Sequence, residues 1–298
     1  MSRKRPVVIA KDGLRARESG AWGKQKLEFI DRFGPPALNV TKSKRQRVYL
    51  DLFAGPGLNV ARDGGGEEFD GSPLRALKMH APGNPDVCFT DAILVNRVLP
   101  DHEALTERVA RLVASGECRI PLNRIRLVHA DANEALPAIM DSIPRFDYVF
   151  TFADIEGIKE WPWRSVENLK ALGHQSVDLY MLFPIRQAFQ RLMSFKLEYL
   201  ERYAPRFDAF FGSEEWRECL PARITNSHTK AFLLCLEAVY LRRLKTRWNH
   251  ARIVRTVYEV GDKCLYKMLF ASNNAVAAKL VKWEEGAGDP PPLEFDFT

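Results

Sequence analysis

Short β-rich runs and helical stretches alternate through the middle of the chain, and this alternation constrains the fold more than any other sequence feature. Five runs rich in β-branched and aromatic residues cover residues 47–54, 86–92, 124–130, 147–154 and 177–184. The stretches between them that show helical patterning are 73–80, 101–115, 133–142 and 164–172. Strand and helix in alternation predict a parallel sheet with helices on both faces.

The segment that follows this alternating region predicts how the sheet is closed. Residues 184–249 lose the β signal and are helical and aromatic in composition. Residues 250–272 then contain two strand-like runs around Gly261, Asp262 and Lys263, a connection short enough for a hairpin. We therefore expect an α/β, Rossmann-like fold, with a mostly parallel seven-stranded sheet, a C-terminal antiparallel hairpin and a helical insertion.

These patterns also set the expected boundaries along the chain. We expect an N-terminal arm and helix at 1–46, a cofactor-binding core at 47–183, a helical insertion at 184–249, a closing hairpin and helix at 250–285, and a flexible tail at 286–298. Within the arm, residues 22–33 have an amphipathic helical pattern. The Gly-Pro-Pro sequence at 34–36 is expected to end that helix.

The first β-rich run leads into a glycine loop. Apolar residues surround Asp51, and the strand continues into Phe53, Ala54, Gly55, Pro56 and Gly57. Glycines at the carboxyl end of a parallel strand let the backbone approach a ligand, and Asp51 suits a cationic amine. Val60 occupies the third glycine position of the dinucleotide fingerprint, which disfavours NAD and FAD. The pattern resembles the S-adenosylmethionine loop of methyltransferases; the alternative is a tight turn after a buried strand.

A glycine-rich excursion at 64–66 delays the next helix. Ser72, followed by a proline, is expected to cap that helix, whose N-terminus can hold a carboxylate. Asp70 lies just before this cap, where it either fixes the loop or faces the ligand. We include both residues in the expected cofactor site.

Two later strand tips supply further candidates for cofactor binding. Asp91 ends the second run, where an acid can accept hydrogen bonds from ribose hydroxyls. Asp131 ends the third run, where it can accept from an adenine amino group, and Asn133 precedes a helix. The alternatives are a solvated loop acid for Asp91 and a helix cap for Asp131 or Asn133.

The fourth run ends in Asp154 and Glu156, which precede Trp161 and Trp163. Catalytic groups of open α/β sheets gather beyond the carboxyl ends of the strands. We therefore expect Asp154 and Glu156 to be catalytic or substrate-orienting. The two tryptophans are expected to border the substrate.

A basic and aromatic cluster lies in the helical region, where Arg242, Arg243 and Arg247 precede Trp248. Such a cluster can contact phosphates, with the tryptophan as a stacking platform. The alternative is an ordinary solvated face. Together with the formal net charge of +6, this cluster makes nucleic acid the expected substrate.

Composition restricts the compartment and the cofactors. The chain has no apolar stretch long enough for a membrane span, and its N-terminus lacks the apolar core of a signal peptide, so we expect a cytoplasmic protein without membrane association. Its five cysteines lie far apart and are expected to be reduced thiols. The six histidines include no metal-ligand spacing, so no metal site is expected.

Several stretches in order along the chain resemble the three-Cys-motif partner (TcmP) family. They are the helical pattern at 22–33 and the segments 49–57, 69–77, 153–157, 210–218 and 265–274. The resemblance implies a Rossmann-like methyltransferase fold with S-adenosylmethionine as cofactor, and a three-Cys-motif protein as partner. The family tends to have D-P-x-G after the fourth strand, whereas this chain has Ile155 in place of the proline.

Three functions follow from these patterns. The first is an S-adenosylmethionine-dependent methyltransferase that acts on nucleic acid. The second is a non-catalytic module that keeps the cofactor fold and serves as a partner or scaffold for another protein. The third is a nuclease or nucleotide-processing protein of a defence or mobile-element system, with Asp131, Asp154 and Glu156 around a divalent metal.

Overall fold

Seven strands form the central sheet of the protein. The computed structural model describes residues 7–62, 65–171, 173–185, 189, 197–224, 229–259 and 263–279. The sheet strands are β3 (Arg47–Asp51), β8 (Asp91–Asn96), β9 (Ile125–His129), β10 (Tyr148–Ala153), β11 (Ser176–Phe183), β12 (His250–Glu259) and β13 (Lys263–Ser272). They are arranged in the order β12-β13-β11-β10-β3-β8-β9.

The direction of the strands identifies the fold. β9, β8, β3, β10 and β11 pair in parallel, whereas β13 is antiparallel to both β11 and β12. Every residue of β3 and β10 is buried, as expected for central parallel strands covered by helices on both faces. This is the expected α/β, Rossmann-like methyltransferase fold, with a mostly parallel seven-stranded sheet and a C-terminal antiparallel hairpin.

Helices cover both faces of this sheet and form the insertion. They are α1 (Ala21–Val40), α2 (Ser72–Lys78), α3 (Leu99–Ala114), α4 (Ala132–Asp141), α5 (Trp163–Asn168), α6 (Leu197–Phe211), α7 (Leu220–Ile224) and α8 (Thr229–Leu244). The last three lie between β11 and β12, where the helical insertion was predicted. The expected tail at 286–298 lies outside the described residues.

Helix α1 does not end at the Gly-Pro-Pro sequence, so that prediction is wrong. The helix continues through Pro35 and Pro36 to Val40. Burial of the residues that follow the prolines explains this, because Ala37 and Leu38 are at most 4% exposed and belong to the hydrophobic core. Tertiary burial of an apolar face outweighs the local preference of proline to stop a helix.

A second, four-stranded sheet was not predicted from the sequence. It joins the N-terminal arm to the excursion after the glycine loop, and its strands are β1 (Val7–Ile9), β2 (Arg15–Ser19), β4 (Leu58–Ala61) and β5 (Glu68–Asp70) in that order. β2 pairs in parallel with β4, which follows the glycine loop directly. The arm therefore lies against the loop rather than extending away from the core.

Arg108 of α3 fastens the arm to the glycine loop. Its guanidinium donates to both carboxylate oxygens of Asp12, at 2.7 and 2.9 Å. It also donates to the backbone carbonyls of Arg15 and Pro56, each at 2.6 Å. Because Pro56 belongs to the loop and Asp12 and Arg15 to the arm, one buried side chain fixes the distance between them.

We expect Arg108→Lys to lower the free energy of unfolding by about 2 kcal/mol, because lysine keeps the charge but loses the planar fork that makes these bonds. Urea unfolding measures this change. Arg126→Lys is the matched control: Arg126 is exposed and donates to Ser142 Oγ, away from the arm and the glycine loop. Equal effects of the two substitutions would contradict the role given to Arg108.

The second predicted run is split between two elements. Residues Asn84–Cys88 form β7, which pairs with β6 (His80–Ala81) in a separate two-stranded sheet. The sheet strand β8 begins only at Asp91 and extends to Asn96. The apolar stretch after Asp91 is therefore the strand itself, and the predicted boundary was wrong by most of a strand length.

Two cysteines of the helical insertion are bonded to each other. Cys219 and Cys235 form a disulfide that links the 3₁₀ turn Glu215–Cys219 to α8. The expectation that all five cysteines are reduced is thus wrong for this pair, which is distant in sequence and brought together by the helix packing. Cys88, Cys118 and Cys264 are free thiols.

Among the described residues, no helix combines the length and apolar character that crossing a membrane requires.

A buried acid in β11 predicts a pH dependence of stability. Asp178 accepts a hydrogen bond from the Tyr148 hydroxyl at 2.9 Å, and burial raises the pKa of its carboxyl from 3.8 to about 6. Between those pH values the folded chain keeps a proton that the unfolded chain releases. The contribution of this group to the free energy of unfolding therefore falls as pH rises from about 4 to about 7.

Asp178→Asn is expected to remove this contribution, which amounts to about 2 to 3 kcal/mol for a pKa difference of about two. Urea unfolding of both proteins at several pH values between 4 and 7 measures the slope. The variant should lose less stability over this range than the parent chain. Parallel slopes would show that Asp178 does not titrate as proposed.

Candidate functional site

A cleft of 380 Å³ opens where the carboxyl ends of β3, β8, β9 and β10 meet. Its apolar wall contains Leu52, Phe53, Val95 and Val98. Its charged lining contains Arg15, Arg17, Arg97, Asp101, Asp131, Asp154, Glu156, Lys159 and Glu160. A smaller cavity of 20 Å³ lies beside it against the glycine loop, and Arg17, Phe53 and Asp154 line both spaces.

The glycine loop has the backbone conformation that its glycines allow. Gly55 and Gly57 have φ values of +62° and +83°, in the left-handed region that side chains disfavour. The loop is held from β8, because the amide of Ala54 donates to Val95 O at 3.1 Å and the Asn96 side chain donates to Gly55 O at 2.8 Å. Ala54, Pro56 and Gly57 line the smaller cavity.

Asp51 does not reach the cleft, contrary to the expectation that it contacts the cofactor directly. It is fully buried and accepts hydrogen bonds from Ser72 Oγ at 2.6 Å, the Tyr49 hydroxyl at 3.2 Å and the Phe53 amide at 3.2 Å. Burial raises the pKa of this carboxyl to about 6, although the hydrogen bonds oppose the shift. Asp51 thus positions the glycine loop and ties it to the start of α2, where Ser72 lines the smaller cavity.

Asp131 and Asn133 both line the cleft, and Asp131 also caps α4. Asp131 accepts from the Asn133 amide at 2.9 Å, so the helix-cap alternative is correct for Asp131. Its other oxygen lies 3.4 Å from the Arg97 guanidinium. The side chain of Asn133 donates to Glu160 O at 3.0 Å and accepts from Ser165 Oγ at 2.6 Å. These bonds fix the two residues at the strand tip.

Asp154 and Glu156 lie at the tip of β10 and line the cleft, as the sequence led us to expect. The carboxylate of Asp154 is buried and forms an ion pair with the ammonium group of Lys26, which comes from α1. The amide of Glu156 donates to Glu160 Oε2 at 2.7 Å, which closes the turn after the strand. Two acids from β10 therefore face the same space as Asp131 from β9.

Two of the predicted cofactor residues lie elsewhere. Asp91 occupies the amino end of β8, paired in register with Val48, and contacts Thr90 and Arg124. It is therefore at the opposite edge of the sheet from the cleft, and the ribose prediction for it is wrong. Asp70 faces the outer side of α2, where it pairs with Lys78 at 2.9 Å, so its loop-fixing alternative fits the structure.

The predicted substrate residues are not at the cleft. Trp161, Trp163 and Trp248 are at most 3% exposed, and none can offer a face to a ligand base. The Trp248 indole donates to Val177 O at 2.7 Å, inside the core. These aromatics pack the sheet against the insertion, which is the ordinary role of large apolar side chains.

The three arginines predicted to bind phosphate form intramolecular contacts instead. Arg242 pairs with Glu215 and Glu218, and Arg247 pairs with Glu167. Arg243 donates to Gly212 O at 3.1 Å and stacks over Trp163. The solvated-face alternative therefore fits this cluster better than a phosphate-binding role.

The sequence patterns did not predict several residues of the cleft and of the smaller cavity. Arg15 and Arg17 come from the unpredicted second sheet, and Asn96, Arg97 and Asp101 from the true end of β8 and the start of α3. The apolar run Ala92–Val95 indicates that the strand continues beyond Asp91, and it would have placed the carboxyl end of the strand at Asn96. Lys26 carried no such signal, because a lysine on an amphipathic helix usually faces solvent.

Among the described residues, no group of three or more His, Cys, Asp or Glu side chains is placed to bind a metal ion. Asp131, Asp154 and Glu156 face one space, but Asp131 is engaged by Arg97 and Asp154 by Lys26. The geometry thus gives the metal-dependent hydrolysis hypothesis no supporting observation.

No protein-family model and no curated protein sequence matches the chain. Among solved structures it is similar to a Legionella pneumophila protein, with 12% identity, a TM-score of 0.45, and coverage of 87% of this chain and 92% of that one. It is also similar to a spermidine synthase from Thermotoga maritima, with 9% identity, a TM-score of 0.43, and coverage of 91% of this chain and 66% of that one.

A SAM-dependent methyltransferase from Aquifex aeolicus is also similar, with 15% identity, a TM-score of 0.34, and coverage of 82% of this chain and 93% of that one. The fold assignment rests on the strand order and directions described above. The resemblance to the TcmP family gains no support from these comparisons.

Proposed function

We propose that the protein binds S-adenosylmethionine in the 380 Å³ cleft and transfers its methyl group to an acceptor. The observation that carries the proposal is the glycine loop. Gly55 and Gly57 have positive φ at the carboxyl end of the first sheet strand, and Gly57 lines the smaller cavity, which shares Arg17, Phe53 and Asp154 with the cleft. In open α/β sheets, ligands bind at this edge of the sheet.

The residues of the cleft fit the cofactor in size and chemistry. Its volume lies within the range of small-molecule sites, about 300–1,000 Å³. Leu52, Phe53, Val95 and Val98 offer an apolar wall for a flat base. Carboxylates and cations line the rest in similar numbers, which suits a zwitterionic ligand better than a polyphosphate.

S-adenosylmethionine supplies a methyl group on a positively charged sulfur, and the chain has to orient the acceptor and exclude water. We assign the orienting role to Asp154, whose carboxylate is held at the tip of β10 by Lys26. An acceptor that loses a proton can pass it to this carboxylate. Glu156 lies beside Asp154 and lines the outer part of the same cleft.

Titration calorimetry with S-adenosylmethionine and S-adenosylhomocysteine tests the cofactor assignment. We expect one binding site per chain for each ligand. A lack of both binding heat and thermal stabilisation at millimolar ligand would overturn the proposal. Asp154→Asn, with folding verified by circular dichroism because it also breaks the buried pair with Lys26, should keep S-adenosylhomocysteine binding and lose methyl transfer.

We propose nucleic acid as the acceptor, on the basis of the net charge of +6. Transfer of labelled methyl groups to separate pools of RNA, DNA, protein and small molecules identifies the acceptor class. Label in protein or small molecules alone would overturn the nucleic-acid proposal. The TcmP resemblance adds a three-Cys-motif protein as the proposed partner, which co-purification with such a protein tests.

A further inference from the structure

Arg17 of β2 reaches across the glycine loop. A Cβ atom added to Gly55 would lie 3.0 Å from both Cζ and Nε of Arg17, so the guanidinium rests directly on this glycine. Arg17 also belongs to the wall shared by the 380 Å³ cleft and the smaller cavity. A cation contributed by the N-terminal arm therefore lies at the inner end of the proposed cofactor site.

The guanidinium of Arg17 has hydrogen-bonding capacity to spare. Within the described part of the chain, its one ion-pair partner is Asp101, at 3.8 Å, a distance too long for a hydrogen bond. Arg15 holds the same carboxylate at 3.0 Å. An arginine has five N–H donors, and no nitrogen of Arg17 is among the buried side-chain atoms that lack a partner, so a ligand in the cleft can take the place of water on them.

The position of Arg17 is fixed from both sides. In register, it pairs with Val7 on β1 and with Asn59 on β4, and Asn59 also lines the smaller cavity. The Arg108 guanidinium donates both to the carbonyl of Arg15, two residues before Arg17, and to the carbonyl of Pro56 in the loop. The backbone that carries Arg17 is thus tied to the loop over which its side chain lies.

We infer that Arg17 binds the carboxylate of the amino-acid end of the ligand and makes the site specific for ligands that carry it. The inference rests on the proposed function. A planar guanidinium fork matches a carboxylate with two parallel hydrogen bonds, which a lysine or an amide cannot reproduce. The N-terminal arm then acts as part of the cofactor site, and the ligand's carboxylate replaces the long contact to Asp101.

A pair of ligands that differ by one group tests this role. S-adenosylhomocysteine and its decarboxylated form, which lacks only the carboxylate, are titrated calorimetrically into the full chain. The parent protein is expected to bind S-adenosylhomocysteine about 10- to 100-fold more tightly, as charge-assisted hydrogen bonds allow. Arg17→Gln should abolish that preference and bind the decarboxylated ligand as the parent does.

The matched control is Arg62→Gln, since Arg62 follows the adjacent strand and pairs with Glu18 outside both cavities. This variant should keep the full preference. Equal binding of both ligands by the parent chain, or a preference that persists in Arg17→Gln, would overturn the inference while leaving the cofactor assignment in place. Failure of the parent to bind either ligand would overturn the proposed function and the inference with it.

Discussion

Replacing Gly57 by valine is expected to weaken binding of S-adenosylhomocysteine by about a hundredfold or more. Gly57 has a φ of +83°, a conformation that costs an ordinary residue about 1–2 kcal/mol and a β-branched one more. An added Cβ would also lie 2.8 Å from Leu105 Cδ1 in α3. Either the loop or the buried Leu105 side chain has to move to relieve this overlap, and each 1.4 kcal/mol of binding lost is a factor of ten.

Gly83→Val is the control that distinguishes the effect of backbone strain in general from the effect of strain in the glycine loop. Gly83 also has a positive φ, +69°, but a Cβ there would meet nothing within 4 Å. This variant should lose some stability and keep its affinity for the ligand. Calorimetry on both variants, with circular dichroism to verify folding, measures the difference. A folded Gly57→Val protein with unchanged affinity would place the ligand somewhere other than the glycine loop.

Replacing Lys26 by methionine is expected to cost about 3–5 kcal/mol of unfolding free energy. Lys26 and Asp154 form an ion pair in which each side chain is 7% exposed. Removal of the ammonium takes away the cation that is paired with this buried carboxylate, and breaking a buried pair in this way costs more than the net value of the pair. Urea unfolding at pH 7 measures the loss.

The double variant Lys26→Met/Asp154→Leu shows whether the loss of stability in Lys26→Met comes from the buried charge of Asp154. Removal of both charges with volume retained should recover most of the stability, since a buried ion pair and apolar residues of similar size are often equivalent. Methyl transfer should be lost, because the carboxylate of Asp154 is gone. If the double variant is as unstable as the sum of the two single variants, the pair does not act as a coupled unit.

The core sheet could be predicted because its signals are local. The run Val48–Leu50 and the later buried runs have the uninterrupted apolar character of central parallel strands. The second sheet had no such signal. Its strands are three to five residues long, and β2 (Arg15–Ser19) is mostly polar, so its pairing with β4 depends on contacts distant in sequence.

The site was predicted in part for the same reason. Gly55, Gly57 and Asp154 follow buried strands directly, so their place at the sheet edge follows from strand direction. Asp91 was misplaced because the strand begins, rather than ends, at that residue. Arg17 and Lys26 come from the N-terminal arm and helix, and only the tertiary structure brings them to the smaller cavity beside the cleft.

Amide hydrogen exchange with and without S-adenosylhomocysteine tests the cofactor assignment and the location of the site in one measurement. We predict slower exchange confined to the glycine loop at 52–57, the β8 tip at 95–98, the start of α4 at 131–133 and the arm strand around Arg17. Unchanged exchange at millimolar ligand, or protection restricted to other parts of the chain, would contradict the proposal that this cleft binds the cofactor.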